Sequence, residues 1–159
     1  MLKKILIALV AGITIIQFFK PEKNISTIPQ KNTLINSYTV PSDVKIILKK
    51  ACVDCHSNNT NYPWYSQVQP IAWWLSYHIN NGKKHFNLDE FLSYNPKKQD
   101  HKMEELIEMV KNLEMPLNSY TWAHSDARLT NEERYALTDW ATAIRKEINL
   151  KTGFVATHE

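Results

Sequence analysis

The feature that most constrains this chain is its pair of cysteines, which occur only in Cys52-Val53-Asp54-Cys55, with His56 directly after them. The pattern C-x-x-C-H arises in roughly one of two thousand shuffled sequences of this composition, and it is the attachment motif of c-type haem. Two thiols at this spacing on a helical turn can reach both vinyl groups of one haem and form thioethers, and the following histidine then lies beneath the iron. The motif therefore predicts one covalently attached haem c, with Cys52 and Cys55 as thioether donors and His56 as proximal iron ligand. Val53 and Asp54 are expected only to fill the gap.

Three other interpretations of the cysteines fit the sequence less well. A thioredoxin-type C-x-x-C needs a βαβ context, and no alternating strand pattern flanks this motif. A disulfide between Cys52 and Cys55 would close a very small loop and would leave His56 without a role. A zinc site needs two further ligands, and His78 and His85 are separated by six residues, outside the usual H-x₃₋₅-H spacing.

The N-terminus has the pattern of an export signal or a membrane anchor. Lys3 and Lys4 precede an apolar run over residues 5–19 that is interrupted only by Gly12, Thr14 and Gln17. A buried helix would show a polar face, and this run shows almost none. No A-x-A cleavage site follows, and as a helix the run would span about 22 Å, less than the ~30 Å of a hydrocarbon core. A cleaved signal and an uncleaved anchor both stay open, and the anchor is favoured. Either one predicts a domain on the periplasmic side of the cytoplasmic membrane.

The charge of the remaining chain argues against one class of partner. Of the 19 basic residues, Lys3, Lys4 and Lys20 lie in the first twenty positions, so 16 basic residues remain beside 16 acidic ones. A nucleic-acid-binding domain would be expected to carry a basic patch. We therefore expect no nucleic-acid partner.

The pattern beyond the leader (residues 1–20) predicts a polar tether, one helical domain and a short tail. Residues 21–40 are rich in Lys, Asn, Ser, Thr and Pro and lack helical periodicity, which is typical of a tether. Residues 41–150 contain five segments with apolar residues at helical spacing and no convincing strand. The predicted fold class is all-α, a cytochrome c-like small helical domain around one haem, with residues 151–159 as its tail.

Helix boundaries follow from capping residues. Ser42 is predicted to cap the helix that delivers the motif, and Pro70 to begin an aromatic helix that ends near Gly82. The remaining three helices are predicted to be capped by Asn87 with Glu90, by Asp100, and by Thr130 with Glu133.

The sixth position on the iron decides between electron transfer and substrate chemistry. Met115 is the favoured ligand because Pro116 ends the preceding helix and leaves the thioether in a loop, although a methionine is more often a core gap-filler. His124, in the loop before the last helix, is the alternative. The other histidines are interpreted as core or solvated residues, or as uninformative at the terminus: His78, His85, His101 and His158.

Aromatic residues after the motif are predicted to form an apolar wall around the haem, with ordinary core packing as the alternative for each. They are Trp64, Tyr65, Trp73 and Trp74.

Short blocks of residues across nearly the whole domain match the pattern of one known family. They are Asp54-Cys55-His56-Ser57-Asn58, Tyr62-Pro63-Trp64-Tyr65-Ser66, Pro70, Trp73, Asn81-Gly82, Phe86-Asn87, Met115-Pro116, Tyr120, His124, Ala127-Arg128-Leu129 and Glu132-Glu133-Arg134. In these blocks the sequence resembles a family of exported bacterial haem-binding domains related to small c-type cytochromes. The resemblance implies a single covalent haem c in an α-helical domain beyond the cytoplasmic membrane, and it implies no defined enzymatic reaction. The family often has Arg where this chain has Lys83, and a second Pro where this chain has Leu117.

The leading functional hypothesis is a one-electron carrier with His56 and Met115 as axial ligands, serving redox partner proteins of the envelope. It is therefore expected to be an electron-transfer protein rather than an enzyme. Two alternatives remain. One is a haem enzyme or gas sensor with an open sixth site, in which His124 assists peroxide chemistry. The other is an interaction domain in which haem has only a structural role. The sequence does not predict an oligomeric state.

Overall fold

The structure, a computed structural model, describes residues 1–153. Over that range it is helical, without a β-strand, so the predicted all-α class is confirmed. His158 and most of the predicted tail lie outside the described residues. The α-helices are α1 (Leu2–Ile16), α2 (Leu34–Ser37), α3 (Ser42–Ala51), α4 (Val53–His56), α5 (Ile71–His85), α6 (Pro96–Lys111), α7 (Asn118–Ala123) and α8 (Asn131–Thr152). Short 3₁₀ helices span Trp64–Gln67, Leu88–Ser93 and Ser125–Ala127.

The long helix α8 organises the core. Helices α6 and α3 both pack against it, and all three helices contribute buried apolar side chains to one core. This packing anchors α3, which ends directly at the cysteine motif. The shared core includes Val44, Leu48, Met103, Leu137, Ile144 and Ile148.

Two of the predicted caps are confirmed and two predicted boundaries are wrong. Asn87 accepts a hydrogen bond from the backbone N–H of Asp89, and Thr130 with Glu133 forms a complete capping box. Ser42 is not a cap, because Pro41 occupies that position and Ser42 is already the first helical residue. Helix α5 does not stop near Gly82 but continues to His85.

The prediction that Asp100 caps a helix is also wrong. Helix α6 begins at Pro96, where the side chain of Asn95 accepts a hydrogen bond from the N–H of Lys98. Asp100 lies inside the helix and is only 3 % exposed. Its carboxylate binds Arg145 of α8 in a bidentate pair, with N–O distances of 2.9 and 3.0 Å. A long-range ion pair between α6 and α8 therefore explains this acid.

Removing the Asp100 charge should destabilise the protein strongly. Asp100→Asn leaves the mostly buried guanidinium of Arg145 with Glu104, at 3.0 Å, as its remaining carboxylate partner. Loss of the two charge-assisted hydrogen bonds to Asp100 should cost about 2–3 kcal/mol. The matched control is Glu147→Gln, which removes the exposed pair to Lys151 and should change the stability far less, because solvent screens an exposed pair. Urea unfolding of both variants measures the difference, and equal losses of stability would contradict the role assigned to Asp100.

The segment predicted as a polar tether is packed against the rest of the protein over much of its length. Residues 24–26 lie beside residues 58–60, with an antiparallel bridge between Ile25 and Asn59. Leu34 is fully buried in the core, and the carbonyl of Thr39 accepts a hydrogen bond from the indole N–H of Trp140. These contacts hold the start of the tether beside the loop that follows the cysteine motif and its end against α8.

None of the residues of helix α1 is buried. Among residues 1–153, no helix is both long enough and apolar enough to cross a membrane.

Candidate haem site

The cysteine motif forms a single helical turn at the end of α3. The backbone N–H of Cys52 donates to Leu48, and the N–H groups of Cys55 and His56 both donate to the carbonyl of Cys52. Both thiols are free and partly exposed. The predicted helical turn is therefore present, and it carries both thiols and the imidazole.

The ring of His56 is held by Phe86, the residue that directly follows α5. Its Nδ1 lies 2.8 Å from the carbonyl oxygen of Phe86, and because a carbonyl only accepts, Nδ1 carries the proton. The lone pair of the neutral ring is then on Nε2, the arrangement in which a second hydrogen bond orients a metal-binding histidine. Burial lowers the pKa of His56, which favours this neutral form.

The two thiols carry their protons at neutral pH. Burial and the neighbouring Cys55 raise the pKa of Cys52 to about 12, and burial and the adjacent Asp54 raise the pKa of Cys55 to about 11. A thioredoxin-type nucleophile has a lowered pKa instead. Within residues 1–153, no group of three or more His, Cys, Asp or Glu side chains could hold a metal ion. The thioredoxin and zinc interpretations gain no support.

Gly82 allows α5 to approach the motif closely. A Cβ atom at this position would lie 2.6 Å from the carbonyl oxygen of Cys55 and 3.2 Å from the Cβ of Cys55. The glycine interpreted from sequence as a helix end is therefore a contact point between α5 and α4. Phe86 follows four positions later, so the same approach brings its carbonyl to His56.

Gly82→Ala should disturb the site although alanine is the better helix former. The new methyl group must push α5 away from the backbone of Cys55, and overpacking of this kind costs on the order of 1–3 kcal/mol. The matched control is Gly12→Ala in α1, where no atom lies within 4 Å of the added Cβ. Thermal unfolding of both variants is the measurement. A Gly82→Ala protein as stable as the Gly12→Ala protein would contradict the close contact.

Asp54 does more than fill the gap between the cysteines, which corrects the prediction. Its carboxylate accepts hydrogen bonds from the hydroxyl of Tyr120, at 2.8 Å, and from the backbone N–H of Asn61, at 3.1 Å. Burial and the nearby Asp54 raise the pKa of Tyr120, so its hydroxyl stays protonated and donates. Sequence reasoning assigned Tyr120 no role, and its spacing from the motif, 66 residues from Asp54, gave no local signal.

His124 is connected to the bond between Asp54 and Tyr120 through the ring of Tyr120. Its ring stacks on Tyr120 with centroids 4.3 Å apart, and its Nε2 is 2.6 Å from the hydroxyl of Tyr65. The structure therefore brings together Asp54, Tyr65, Tyr120 and His124, which we call the tyrosine cluster. The predicted wall residue Tyr65 and the alternative ligand His124 are both members.

Met115 lies in the loop between α6 and α7, as the sequence predicts, although α6 ends already at Lys111. Its backbone is fixed on both sides. The N–H donates to Met109 at 3.1 Å, and the carbonyl accepts from Arg134 at 3.3 Å. The role of Met115 as an iron ligand stays a prediction, as does that of His124.

The three tryptophans predicted as haem wall are exposed rather than buried. Trp64 is 80 % exposed, Trp73 41 % and Trp74 46 %. The ring of Trp74 contacts His78 edge-on, and the indole of Trp73 donates to the carbonyl of Phe19. Exposed apolar patches mark surfaces for a ligand, a membrane or a partner. Their wall role stays a prediction.

Taken together, the residues of the motif fit a haem. The imidazole of His56 presents Nε2 with its lone pair, and two free, protonated thiols lie on the turn directly before it. In a comparison with known families, the model of a haem-binding domain matches residues 11–143, a range that contains the motif and the tyrosine cluster. No curated protein and no solved structure matches this chain.

Proposed function

Because this chain belongs to the family of haem-binding domains, we propose that it attaches one haem covalently and carries single electrons on the periplasmic side of the cytoplasmic membrane. Family membership supports haem binding itself. The observation that carries the covalent attachment is the motif turn, in which two free thiols directly precede a histidine whose Nδ1 is held by Phe86.

The thiols of Cys52 and Cys55 would each hold the haem through one thioether. The Sγ–H group would add across a vinyl C=C bond, so that sulfur bonds to one carbon and the thiol hydrogen passes to the other. No atom leaves and no electron is gained or lost, and the reaction needs only that both cysteines are reduced. Both cysteines are free thiols within one turn, which is the state that this addition requires.

His56 and Met115 are the residues that would bind the haem iron. When bound, haem supplies an iron that alternates between the ferric and ferrous states by one electron. The carbonyl of Phe86 fixes the imidazole of His56, and the backbone bonds of Met115 fix the loop that carries its thioether. A thioether ligand favours the ferrous state and raises the potential. With both ligands in place the iron would have no position for a substrate, so the proposed role is that of a carrier rather than an enzyme.

A specific observation favours a second candidate, a haem enzyme with an open sixth site. The hydroxyl of Tyr65 contacts Nε2 of His124, and this contact orients the imidazole within the tyrosine cluster. A histidine held in this way could exchange protons with a peroxide near the iron. In that case Met115 would be only a loop residue.

The test is an absorption and redox study of the purified holoprotein. The carrier predicts a reversible one-electron titration and a ferrous spectrum that carbon monoxide does not change. Rapid carbon monoxide binding, together with peroxide turnover that falls in His124→Ala and in Tyr65→Phe, would contradict the carrier and support the enzyme.

A further inference from the structure

The end of the leader is hydrogen-bonded to the start of α5. The backbone N–H of Gln69 donates to Oε1 of Gln17 at 2.9 Å, and Nε2 of Gln17 donates to the carbonyl of Gln69 at 3.2 Å. The carbonyl of Phe19 accepts from Nε2 of Gln69 at 2.7 Å and from the indole N–H of Trp73 at 2.8 Å. Four hydrogen bonds thus join residues 17–19 to the domain, and we call this contact the leader junction.

Gln69 shows that the leader junction belongs to the folded protein. It is only 2 % exposed, and its side-chain oxygen is already used by the N–H of Trp73. If residues 17–19 were removed, the amide N–H₂ and both backbone groups of Gln69 would lose these partners. Losing these hydrogen bonds would destabilise the start of α5, so the leader junction favours a chain that keeps its leader.

The apolar side chains of α1 are exposed in the structure, and their burial by protein or lipid would be favourable. Ile5, Leu9 and Ile13 are each at least half exposed, as are most of their neighbours on every side of the helix. A helix that is apolar on all sides is covered by protein or by lipid. Residues 1–15 make no contact that buries them, and the positive charges before the apolar run suit a lipid surface.

Exposed apolar side chains lie on both segments that the leader junction joins, two on the leader and two on the domain. Phe18 and Phe19 are 82 % and 63 % exposed, and Val68 and Ile71 are each 41 % exposed. We call these four residues the junction patch. Lys20 follows directly, and Trp73 combines an exposed ring with a hydrogen-bonded N–H, the combination that tryptophan shows at membrane interfaces.

We propose that α1 remains on the protein and that the junction patch rests on a lipid bilayer, so that the leader junction holds the domain in one orientation on the membrane. The proposal rests on the proposed location at the membrane surface and adds the contact face. Insertion of α1 brings its end, Gln17, to the lipid–water boundary, whether the helix enters the bilayer or lies in its surface. The hydrogen bonds to Gln69 and Trp73 then bring Val68 and Ile71 to the same level.

Single cysteine variants of the holoprotein test this face. Ile71→Cys places a thiol in the junction patch, and Leu92→Cys is the matched control, since Leu92 is 39 % exposed and lies on another element. The full chain is reconstituted into phosphatidylethanolamine and phosphatidylglycerol vesicles and treated with a membrane-impermeant maleimide. Peptide mass spectrometry locates the label, so the rate at each position is read separately from Cys52 and Cys55.

We expect position 71 to react at least about tenfold more slowly than position 92 in vesicles, because lipid covers it. Adding Gln17→Ala removes two bonds of the leader junction and should speed labelling at position 71 without affecting position 92. Vesicle orientation affects both positions equally. Equal labelling rates at positions 71 and 92 would contradict the proposed contact face. Failure of the holoprotein to float with vesicles would contradict the proposed anchor. Neither result would alter the haem spectrum, so each is distinct from a failure of the proposed function. Labelling of Cys52 and Cys55 in the wild type would instead contradict the proposed thioethers.

Discussion

Cys52→Ala combined with Cys55→Ala is expected to yield a protein that releases all of its haem on denaturation, whereas the wild type keeps one haem per chain. The reason is that the two thioethers are the proposed covalent links, and His56 alone provides only a coordinate bond. Haem absorbance that stays with the polypeptide through denaturing gel filtration is the measurement. Haem retained by the double variant would contradict attachment at these positions.

The same double variant should also lose much of its stability. The motif turn contains α4 and directly follows α3, and α5 packs on it through Gly82. A covalently held haem at this place would therefore extend the core beside exposed aromatic side chains. The variant without haem is therefore expected to be poorly folded. Cys52→Ala alone is the matched control, because it keeps one thioether. A thermal transition in the double variant that resembles that of the wild-type holoprotein would contradict a structural role for haem.

Met115→Ala is expected to open the sixth position of the iron. The substitution removes the methionine sulfur, so the sulfur-to-iron charge-transfer band should vanish and the ferrous protein should bind carbon monoxide. The reduction potential should fall, because the ligand that favours ferrous iron is absent. The change is from no detectable carbon monoxide binding to stoichiometric binding. Ferric and ferrous absorption spectra, with and without carbon monoxide, measure the charge-transfer band and carbon monoxide binding. A redox titration measures the potential.

His124→Ala is the matched variant for this experiment. It removes the ring that stacks on Tyr120 and should leave the charge-transfer band in place if Met115 is the ligand. If instead Met115→Ala changes no spectrum and His124→Ala does, the ligand is His124. A wild type that already binds carbon monoxide would indicate an open site, with Met115 as a core residue.

Local patterns predicted the elements that deliver the motif. Each of these patterns depends on residues within one or two helical turns, so the sequence reveals it directly. Examples are the helical spacing of apolar residues in α3, the turn of Cys52 to His56 and the capping box of Thr130. Asp100 shows the limit of this approach. Its position resembled a cap, but the residue that explains it is Arg145, on another helix.

Contacts between distant segments account for what the sequence could not show at the site. Gly82 looked like a helix end because its partner, the carbonyl of Cys55, lies on a different helix. The bond between Asp54 and Tyr120 joins residues that are 66 positions apart. Only the fold brings them together, and the bond of Gln69 to the leader was hidden for the same reason.

The measurement that tests the central claim most directly is the intact mass of the purified wild-type protein under denaturing conditions. Because thiol addition to vinyl groups loses no atoms, the account predicts the mass of the polypeptide plus that of one whole haem. A polypeptide without added mass, from which haem separates freely, would contradict covalent attachment. A mass lower by two hydrogens would show that Cys52 and Cys55 form a disulfide instead.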